Sequence, residues 1–582
     1  MCGIFSVINK NLKPLDIKKC RDALKLMKKR GPDWSVDKVI NNYSYLGQVV
    51  LSMTGDKKKK YFSNYSKSTN FFLLLVGEIY NYQELNNLNL FFKHDFSDTE
   101  ILANLFEKIP KNKINSILDG MYSYLLFDKY KNTLNLSRDP NGEKTLYKYE
   151  DNEKIIISSE IKPIIYYQGS AKLNFDTLKN YFLTRHFIEH KKTIYNNIEK
   201  IERGLNIEID LFSFKKKIID KIEIRDLISK QIYTKNNKKH INEIVDELDF
   251  LLDKNIKQMI PKNRNVASII SGGIDSSIVS KYLCKYVKNV YLINLDHINK
   301  DLNSKKVSQF EKYLNNKVNI HSVTKHEYFK NYLKCLKICH TPINSHSFVG
   351  NYINAKIANN NNCRAIFGGE GADELFGGYS TYLDKPKLNI NHSDYTKILK
   401  YNFFNSTKEQ LDFIKIMKSL WHNNNNSYNF LKNLNERKIQ SMMLMDATSQ
   451  MESNAFKAGD LMSMNNSVES RNLFFRKDIV RFAVNLPLKF KINLNAKNNM
   501  KNKYVLKKLF IKKFKEKLIF VKQGFPGFPN ETQDYIGALD KFLLNRFINF
   551  SKLKHLYNSN KSLQWKILNT EFYLKEIGYK YL

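Results

Sequence analysis

The sequence predicts two unequal domains, a β-rich α+β domain followed by an α/β domain that ends in a helical extension. The first observation is length, because 582 residues are too many for one ordinary core. The second is pattern: short apolar or alternating runs dominate the chain up to about residue 210, whereas strand-like and helical runs alternate from 264 onward. The third is the lysine-rich, weakly periodic stretch 213–240, which places the domains at 1–212 and 235–582.

The amino-terminal half predicts many strands and few helices. Turn residues separate its apolar or alternating runs, which are GIFSVI, NFFLLLVGEIY, MYSYLLFD, KIIISSE and NIEIDL. Helical periodicity is confined to stretches such as 14–29 and 98–108. This half is therefore predicted to be dominated by β-sheet.

The carboxyl-terminal half begins with the helical pattern of 241–260. Buried-strand runs then alternate with helical runs, and these strands are NVASII, NVYLINL and CRAIFGG. Such alternation is typical of a parallel sheet with crossover helices. The remainder of the chain is predicted to be mostly helical.

Composition narrows the class of protein. Hydrophobic residues make up 42% and aromatic residues 13% of the chain, which argues against global disorder. The formal net charge is +38, but the lysines are spread through the whole chain and mixed with asparagine and isoleucine. A solvated basic surface is therefore favoured over nucleic-acid binding, which would require clustered charge or a binding module.

Several other classes of protein are also disfavoured. The chain has no apolar run of membrane-spanning length and no signal-peptide pattern, so a cytoplasmic protein without a membrane partner is expected. Its six cysteines include no Cys-x-x-Cys, which indicates neither a disulfide framework nor a zinc site. Cys335 and Cys339, one helical turn apart, are predicted to be core residues. His340 and His346 lack metal-ligand spacing.

The run SIISGGIDSSIV, residues 268–279, predicts an anion site where a strand ends and a helix begins. Exposed backbone N–H groups and the positive end of the helix dipole attract an anion at such a place, although an ordinary tight turn is the alternative. Asp275 fits there if a cation bridges it to the anion, so we interpret it as a Mg²⁺ ligand beside nucleotide phosphates. The predicted phosphate contacts are Ser271, Gly272, Gly273, Ser276 and Ser277.

A second glycine-rich run, FGGEGADELFGGY at 367–379, carries three acids, Glu370, Asp373 and Glu374. It follows the strand run CRAI. Because ligands of parallel sheets bind in a crevice at the carboxyl ends of the strands, we expect the two loops to converge there.

Both loops, together with MSMNNSVESR at 462–471, KYVLKKLF at 503–510 and KQGF at 522–525, resemble the ATP-pyrophosphatase domain of the asparagine synthetase family. The loops of that family read S-G-G-x-D-S-S and S-G-E-G-[AS]-D-E. The resemblance implies an adenine nucleotide α hydrolase-like fold that binds ATP, with Gly369 at the nucleotide and Mg²⁺ held by Asp275 and Asp373. It further implies that Glu370 assists an attacking ammonia and that Lys522 stabilises negative charge on the phosphates or the tetrahedral intermediate.

The amino-terminal half resembles the class II glutamine amidotransferase domain of the same family. The matching motifs, in order, are MCGIF, RGPD at 30–33, GEIYN at 77–81, SDTE at 97–100, SRDPNGEKTLY at 137–147 and SSEIK at 158–162. The resemblance implies an Ntn-hydrolase-type αββα sandwich in which Cys2, exposed by removal of Met1, attacks the glutamine amide with its own α-amino group as base. The residues implied to bind glutamine are Gly77, through an oxyanion contact, Glu78, and Asp98, through the α-amino group.

Taken together, the resemblance implies an ATP-dependent amide-forming ligase that converts aspartate to asparagine through a β-aspartyl-adenylate, with nitrogen from glutamine and release of AMP and pyrophosphate. One alternative is a relative that amidates another carboxylate, such as a sugar uronic acid or a peptide, with weak or absent glutaminase activity. A non-catalytic basic scaffold that binds nucleic acid is the alternative from another class. Small-molecule substrates are the expected partners, and a homodimer is an open possibility.

Two departures from the family pattern fall in the glutaminase half. Val50 stands where the family has an arginine that pairs with the glutamine α-carboxylate, and Val76 stands where it has an oxyanion-hole asparagine. Loss of one oxyanion donor costs on the order of 10² to 10³ in rate. Our hypothesis is that this domain keeps its nucleophile but hydrolyses glutamine poorly or takes another amide donor.

Two further departures affect the acceptor side. The chain reads CHTPINSHSF at 339–348 where family members often carry Asp-Glu-Pro, and Arg476 replaces an acid in RNLFFRK. Both weaken the assignment of aspartate as acceptor. For Glu469 and Arg471, a structural pair and a substrate contact are both open, and Tyr379 is a candidate core residue.

Overall fold

The computed structural model describes residues 2–54, 70–87, 97–174, 177–178, 181, 191–297, 306–383, 407–519, 539–546, 548–559 and 561–577. Lys522 and the KQGF run lie outside the described residues.

Two antiparallel sheets form the amino-terminal domain. The first has the order β2-β3-β1-β8-β7-β9, with strands β1 (Cys2–Asn9), β2 (Trp34–Asn41), β3 (Ser44–Val50), β7 (Tyr147–Glu150), β8 (Lys154–Ser158) and β9 (Ile198–Lys200). The second has the order β11-β10-β6-β5-β4, with strands β4 (Phe71–Ile79), β5 (Gly120–Asp128), β6 (Thr133–Arg138), β10 (Leu205–Asp210) and β11 (Lys216–Lys221). All five predicted strand runs are present.

Apolar side chains build four layers from these sheets. Ile4 and Leu46 of the first sheet meet Leu74 and Leu125 of the second in a core between the sheets. The outer face of the first sheet packs against the helices Ile17–Lys25 and Ile161–Gln168, and the outer face of the second packs against Asp98–Lys108. Two short helices complete this half, Tyr82–Asn86 and Lys111–Ile117. The predicted αββα sandwich is confirmed.

Helix boundaries follow the capping chemistry. Asp98–Lys108 coincides with its predicted range because Ser97 and Glu100 form a capping box. The helix predicted over 14–29 is shorter, Ile17–Lys25, and it begins where the Asp16 side chain caps it by accepting a hydrogen bond from the Lys19 backbone N–H.

The predicted domain boundary at 212 falls before the amino-terminal sheet ends. Strand β11 pairs with β10 along the edge of the second sheet, so the sheet continues to Lys221. The lysine-rich sequence of this strand suits an exposed edge, and for that reason it lacks the apolar run by which a strand is predicted.

A five-stranded parallel sheet forms the centre of the carboxyl-terminal domain. Its order is β14-β13-β12-β15-β16, with strands β12 (Asn265–Ile269), β13 (Tyr291–His297), β14 (Val318–Val323), β15 (Cys363–Gly368) and β16 (Glu469–Asn472). Every neighbouring pair in this sheet is parallel. The predicted parallel sheet is confirmed.

Helices surround this sheet and extend beyond it. Their bounds are Lys230–Asn237, Ile241–Met259, Ile274–Tyr286, Glu311–Leu314, Lys325–Cys339, Ser347–Asn360, Ala372–Phe376, Thr407–Asn426, Leu434–Met445, Lys457–Met464, Lys477–Val484, Leu488–Lys491, Tyr504–Lys513, Phe550–Ser559 and Lys561–Glu576, with a π-helix over Asp446–Phe456. Cys335 and Cys339 are buried, as predicted. Within the described ranges, none of the helices combines the length and the apolarity that a membrane crossing requires.

Buried ion pairs join the two domains. Arg30 contacts Asp460 at 2.9 Å, and the Lys144 ammonium lies 3.3 Å from the same carboxylate. Arg476 contacts Asp119 at 2.7 Å. Arg476 is the residue that replaces an acid of the family pattern, and here its guanidinium pairs with an acid of the other domain.

Candidate active sites

The two glycine-rich loops lie in contact at the carboxyl ends of adjacent strands. The first follows β12 and leads into the helix Ile274–Tyr286, and the second follows β15, the parallel neighbour of β12. A Cβ added to Gly369 would lie 2.7 Å from both the Asp275 Cβ and the Ser276 backbone nitrogen. Only glycine therefore permits this approach, and the tertiary structure brings the loops together.

Serine hydroxyl groups hold the first loop in shape. The hydroxyl groups of Ser271 and Ser276 lie 3.0 Å apart, and Ser277 donates to the Gly273 carbonyl at 2.8 Å. Gly272 has a φ of +75°, a conformation that favours glycine. Gly273 caps the helix with its backbone alone, which leaves the helix amino terminus oriented toward the loop.

Lys503 lies between the acids of the two loops. Its Nζ is 2.6 Å from a carboxylate oxygen of Asp275 and 2.6 Å from one of Asp373. The Asp275 side chain is 4% exposed and that of Asp373 is 20% exposed. The two carboxylates therefore share one cation position at the point where the loops meet.

This arrangement fits the donor set that Mg²⁺ uses beside nucleotides. Mg²⁺ is usually held by one or two carboxylates, with phosphate oxygens and water completing the shell. Asp275 and Asp373 supply two such oxygens around a shared cation position. Three or more acidic, histidine or cysteine side chains do not cluster as a metal site within the described residues, so phosphates would have to supply the remaining ligands.

The other two acids of the second loop differ in their surroundings. Glu370 is partly exposed, and its carboxylate folds over the loop, since a Cβ on Gly368 would meet Glu370 Oε2 at 1.9 Å. Glu374 is buried and accepts a hydrogen bond from the Tyr379 hydroxyl at 2.5 Å. Burial, followed by repulsion from Asp373, raises the pKa of Glu374 to about 7. Tyr379 thus supports the loop through its hydroxyl group.

Glu374→Gln is expected to remove a pH-dependent loss of stability. Because the pKa is raised in the folded state, Glu374 favours folding at low pH and loses that contribution as pH rises from its ordinary range through about 7. At about 1.36 kcal/mol per pKa unit, the variant should gain up to about 3 kcal/mol over the wild type between pH 5 and pH 8. Urea unfolding at both pH values measures this gain. The same difference in unfolding free energy between variant and wild type at pH 5 and pH 8 would contradict the prediction.

The predicted nucleophile Cys2 lies in an apolar environment. Cys2 pairs directly with Val50 across β1 and β3, and Val76 of β4 belongs to the same buried cluster. Burial raises the pKa of the Cys2 thiol. Val50 is therefore the direct neighbour of the nucleophile in the sheet, and Val76 lies in the same core.

The predicted glutamine-binding residues hold contacts within the protein. Asp98 accepts a hydrogen bond from the Ile79 N–H at 3.0 Å and another from the Thr54 hydroxyl at 2.8 Å. A carboxylate has about four lone-pair sites, so Asp98 keeps acceptor capacity. Gly77 has a φ of +105°, and a Cβ there would lie 1.9 Å from the Met121 carbonyl oxygen. Glu78 is buried and pairs with the Arg471 guanidinium of the other domain.

Arg471, on strand β16, joins Glu78 of the amino-terminal domain to the parallel sheet. Besides Glu78, it pairs with Glu469 at 2.8 Å and donates to the Met259 carbonyl. Burial raises the pKa of Glu78 to about 8. At Glu469 burial also acts to raise the pKa, but the surrounding positive charges, which include Arg471 and Lys144, together outweigh it and lower the pKa. Of the two interpretations left open for Glu469 and Arg471, their contacts favour the structural pair.

Sequence reasoning missed Lys503 as a site residue. The available signal was its place at the start of KYVLKKLF, one of the matched motifs. A lysine in a chain with 95 basic residues does not stand out, and only the fold shows that this one contacts both acidic loops.

Comparisons with known proteins match each half of the chain to a family model. Residues 247–554, more than half of the chain, match the family model described as asparagine synthase, and residues 1–217 match the model described as glutamine amidotransferase domain. Asparagine synthetase (glutamine-hydrolyzing) 1 of Bacillus subtilis is 25% identical over 561 residues, which cover 87% of this chain and 84% of that protein. Asparagine synthetase (glutamine-hydrolyzing) 2 of the same organism is 26% identical over 405 residues, 66% of this chain and 53% of that protein.

A solved structure of glutamine phosphoribosylpyrophosphate amidotransferase from B. subtilis, complexed with ADP and GMP, is similar over 55% of this chain and 81% of its own. The identity is 13% and the TM-score 0.29, a value too low to assign a fold.

Proposed function

The chain belongs to the asparagine synthase family, and we propose that it is an ATP-dependent ligase that forms a carboxamide, with aspartate as acceptor and glutamine as nitrogen donor. In this reaction ATP adenylates the acceptor carboxylate, pyrophosphate leaves, and ammonia attacks the acyl-adenylate to give the amide and AMP. The proposal places the glutaminase in a domain that ends near residue 221 and the synthetase in residues 235–582.

The observation that carries the proposal is the meeting of Asp275 and Asp373 on Lys503. Two acidic loops at the carboxyl ends of adjacent parallel strands form a ligand crevice, and a shared cation position beside a helix amino terminus suits a polyphosphate. A structural turn alone would not require two carboxylates around one ammonium group.

The residues of the synthetase site then have distinct roles. The backbone of Gly272 and Gly273 and the hydroxyl groups of the loop serines bind and orient phosphate oxygens. Asp275 and Asp373 would hold Mg²⁺, which supplies neutralisation of phosphate charge when bound. Lys503 holds positive charge at the departing pyrophosphate. Gly369 allows the close approach of the second loop, Glu370 assists the attacking ammonia, and Lys522 stabilises negative charge on the intermediate.

In the amino-terminal domain, Cys2 is proposed as the nucleophile that releases ammonia from glutamine. Asp98 binds the α-amino group, and the N–H of Gly77 contacts the oxyanion. Glu78, held in place by its ion pair with Arg471, is proposed to contact glutamine and to position the part of the site around it.

A second candidate function is an ammonia-dependent ligase with weak glutaminase activity. The pairing of Cys2 with Val50 favours it, because an apolar side chain beside the nucleophile offers no partner for the glutamine α-carboxylate. A substrate charge left without a partner costs about 1 to 3 kcal/mol or more in binding.

Pyrophosphate release distinguishes these functions. Purified protein with ATP, Mg²⁺ and aspartate is expected to release pyrophosphate with either glutamine or ammonium as donor. Cys2→Ala should lose the glutamine-supported rate and keep the ammonium-supported rate, because the thiol acts only on glutamine. Chromatography of the reaction mixture monitors amide formation and identifies the product.

Each other result has a defined meaning. Release with ammonium alone would favour the second candidate. If neither donor supports pyrophosphate release with aspartate, aspartate is not the acceptor, and the assay is repeated with sugar uronic acids and peptides. Glutamine-supported release that survives in Cys2→Ala would refute the role of Cys2.

A further inference from the structure

A cavity of about 50 Å³ lies between the two domains, away from the loops described above. Thr193 and Lys200 line it from the amino-terminal domain, and Thr341 and Lys457 line it from the carboxyl-terminal domain. Lys457 is the first residue after the π-helix Asp446–Phe456. Such helices occur often at functional sites.

The walls of this cavity are largely apolar, and the charged side chains among them are cationic. Three of its lining residues are lysines, Lys192, Lys200 and Lys457, and among the described residues that line it none is acidic. Its other polar groups are hydroxyl and amide groups, which can donate hydrogen bonds to an anion.

Lys457 has no carboxylate partner among the described residues. Its ammonium donates to the Thr341 hydroxyl at 3.0 Å, a neutral partner. Cys339 lies nearby, but burial raises the pKa of its thiol to about 12, so it carries no charge at neutral pH. Burial lowers the pKa of Lys457. A desolvated ammonium without a counter-ion is costly, and an anion in the cavity would offset that cost.

Lys200 shares its partner with other cations. It lies 2.8 Å from Glu452, and the same carboxylate contacts Arg138 at 2.9 Å and Arg203 at 3.3 Å. One negative charge therefore faces three positive charges. Burial also lowers the pKa of Lys200. His340 is neutral at pH 7, since burial lowers its pKa to about 4, so it adds no positive charge to this region.

The size of the cavity limits the ligand. A single water requires about 10 to 15 Å³ of such space, so the cavity holds a group the size of about three to five waters. One phosphate or one carboxylate group fits this volume, whereas a nucleoside does not.

We propose that this cavity is a binding site for a small oxyanion, a phosphate or carboxylate group held between Lys200 and Lys457. Because these lysines belong to different domains, the anion would stabilise the interface between them. The site is distinct from the ATP loops and does not depend on the proposed ligase activity.

Thermal unfolding with added inorganic phosphate tests the proposal. At constant ionic strength, phosphate should raise the Tm of the wild-type protein by about 2 °C or more, and the rise should saturate. Lys457→Met should lose this shift. Ser271→Ala, in the ATP loop, should keep the full shift, whereas phosphate bound at that loop would give a smaller shift in this variant. Parallel titrations with acetate and aspartate distinguish a phosphate site from a carboxylate site.

A matched pair of surface variants keeps the test valid if Lys457→Met does not fold. Lys192→Met removes an exposed lysine of the cavity and should weaken the apparent Kd roughly two- to fivefold. Lys191→Met removes its exposed neighbour, which lies 3.6 Å from Glu199, and should leave the Kd unchanged. Equal shifts in all variants, or no saturable shift with any of the three anions, would overturn the proposal.

Discussion

Replacement of Lys503 by methionine is expected to lower the rate of pyrophosphate release by about 10²- to 10³-fold, the usual loss when a charge-stabilising donor is removed from a site. In the wild type the Lys503 ammonium lies 2.6 Å from both Asp275 and Asp373. Methionine keeps the length of the side chain but leaves two carboxylates facing each other and the phosphates. A steady-state pyrophosphate assay measures the loss.

Lys508 provides the matched control for this prediction. It lies on the same helix, Tyr504–Lys513, and is exposed. Lys508→Met should retain the wild-type rate because its ammonium contacts neither loop acid. If Lys503→Met retained a rate within tenfold of the wild type, the assigned role of Lys503 would be wrong.

Replacement of Asp460 by asparagine is expected to destabilise the protein by about 3 to 5 kcal/mol, the cost of removing one partner from a buried ion pair. Asp460 is buried between the domains and receives Arg30 and Lys144, together with a hydrogen bond from the Thr145 hydroxyl at 3.2 Å. Asparagine keeps the shape but leaves Lys144 without this carboxylate and Arg30 with only the weaker 3.4 Å contact to Glu160. Urea unfolding measures this change, and we expect a lower midpoint for the variant.

A partly exposed aspartate serves as the control. Asp22 pairs with Lys25 at 2.9 Å on the surface of the first helix, and Asp22→Asn should cost about 0.5 kcal/mol or less. Equal midpoints for Asp460→Asn and Asp22→Asn would show that the buried pair contributes no more than a surface pair.

The same contacts define a pH dependence for Asp460. Burial acts to raise the pKa of Asp460, but Arg30 and Lys144 outweigh it and hold the pKa below its ordinary value. A carboxylate with a lowered pKa contributes stability above its unfolded-state pKa and loses it as pH falls through the folded-state pKa. The stability difference between wild type and Asp460→Asn should therefore narrow under acidic conditions.

Local features of the sequence were sufficient for most of the secondary structure. The helix Asp98–Lys108 was predictable from periodicity and a capping box, and β12 from an apolar run. Strand β11 was not predictable, because its lysines and aspartate follow no apolar alternation and its pairing with β10 comes from the sheet. Where the local sequence pattern and the tertiary strand pairing differ, the secondary structure follows the tertiary pairing and is seen only in the folded chain.

By itself, the sequence determined the two-domain organisation, the glycine-rich loops and the acids they carry, since these depend on residue types at short spacing. The tertiary structure decided which distant groups meet. Lys503 reaches Asp275 across 228 positions and Arg471 reaches Glu78 across 393. It also placed Val50 opposite Cys2. The physical reason is that strand pairing and burial bring together charges and apolar groups whose separation along the chain carries no local signal.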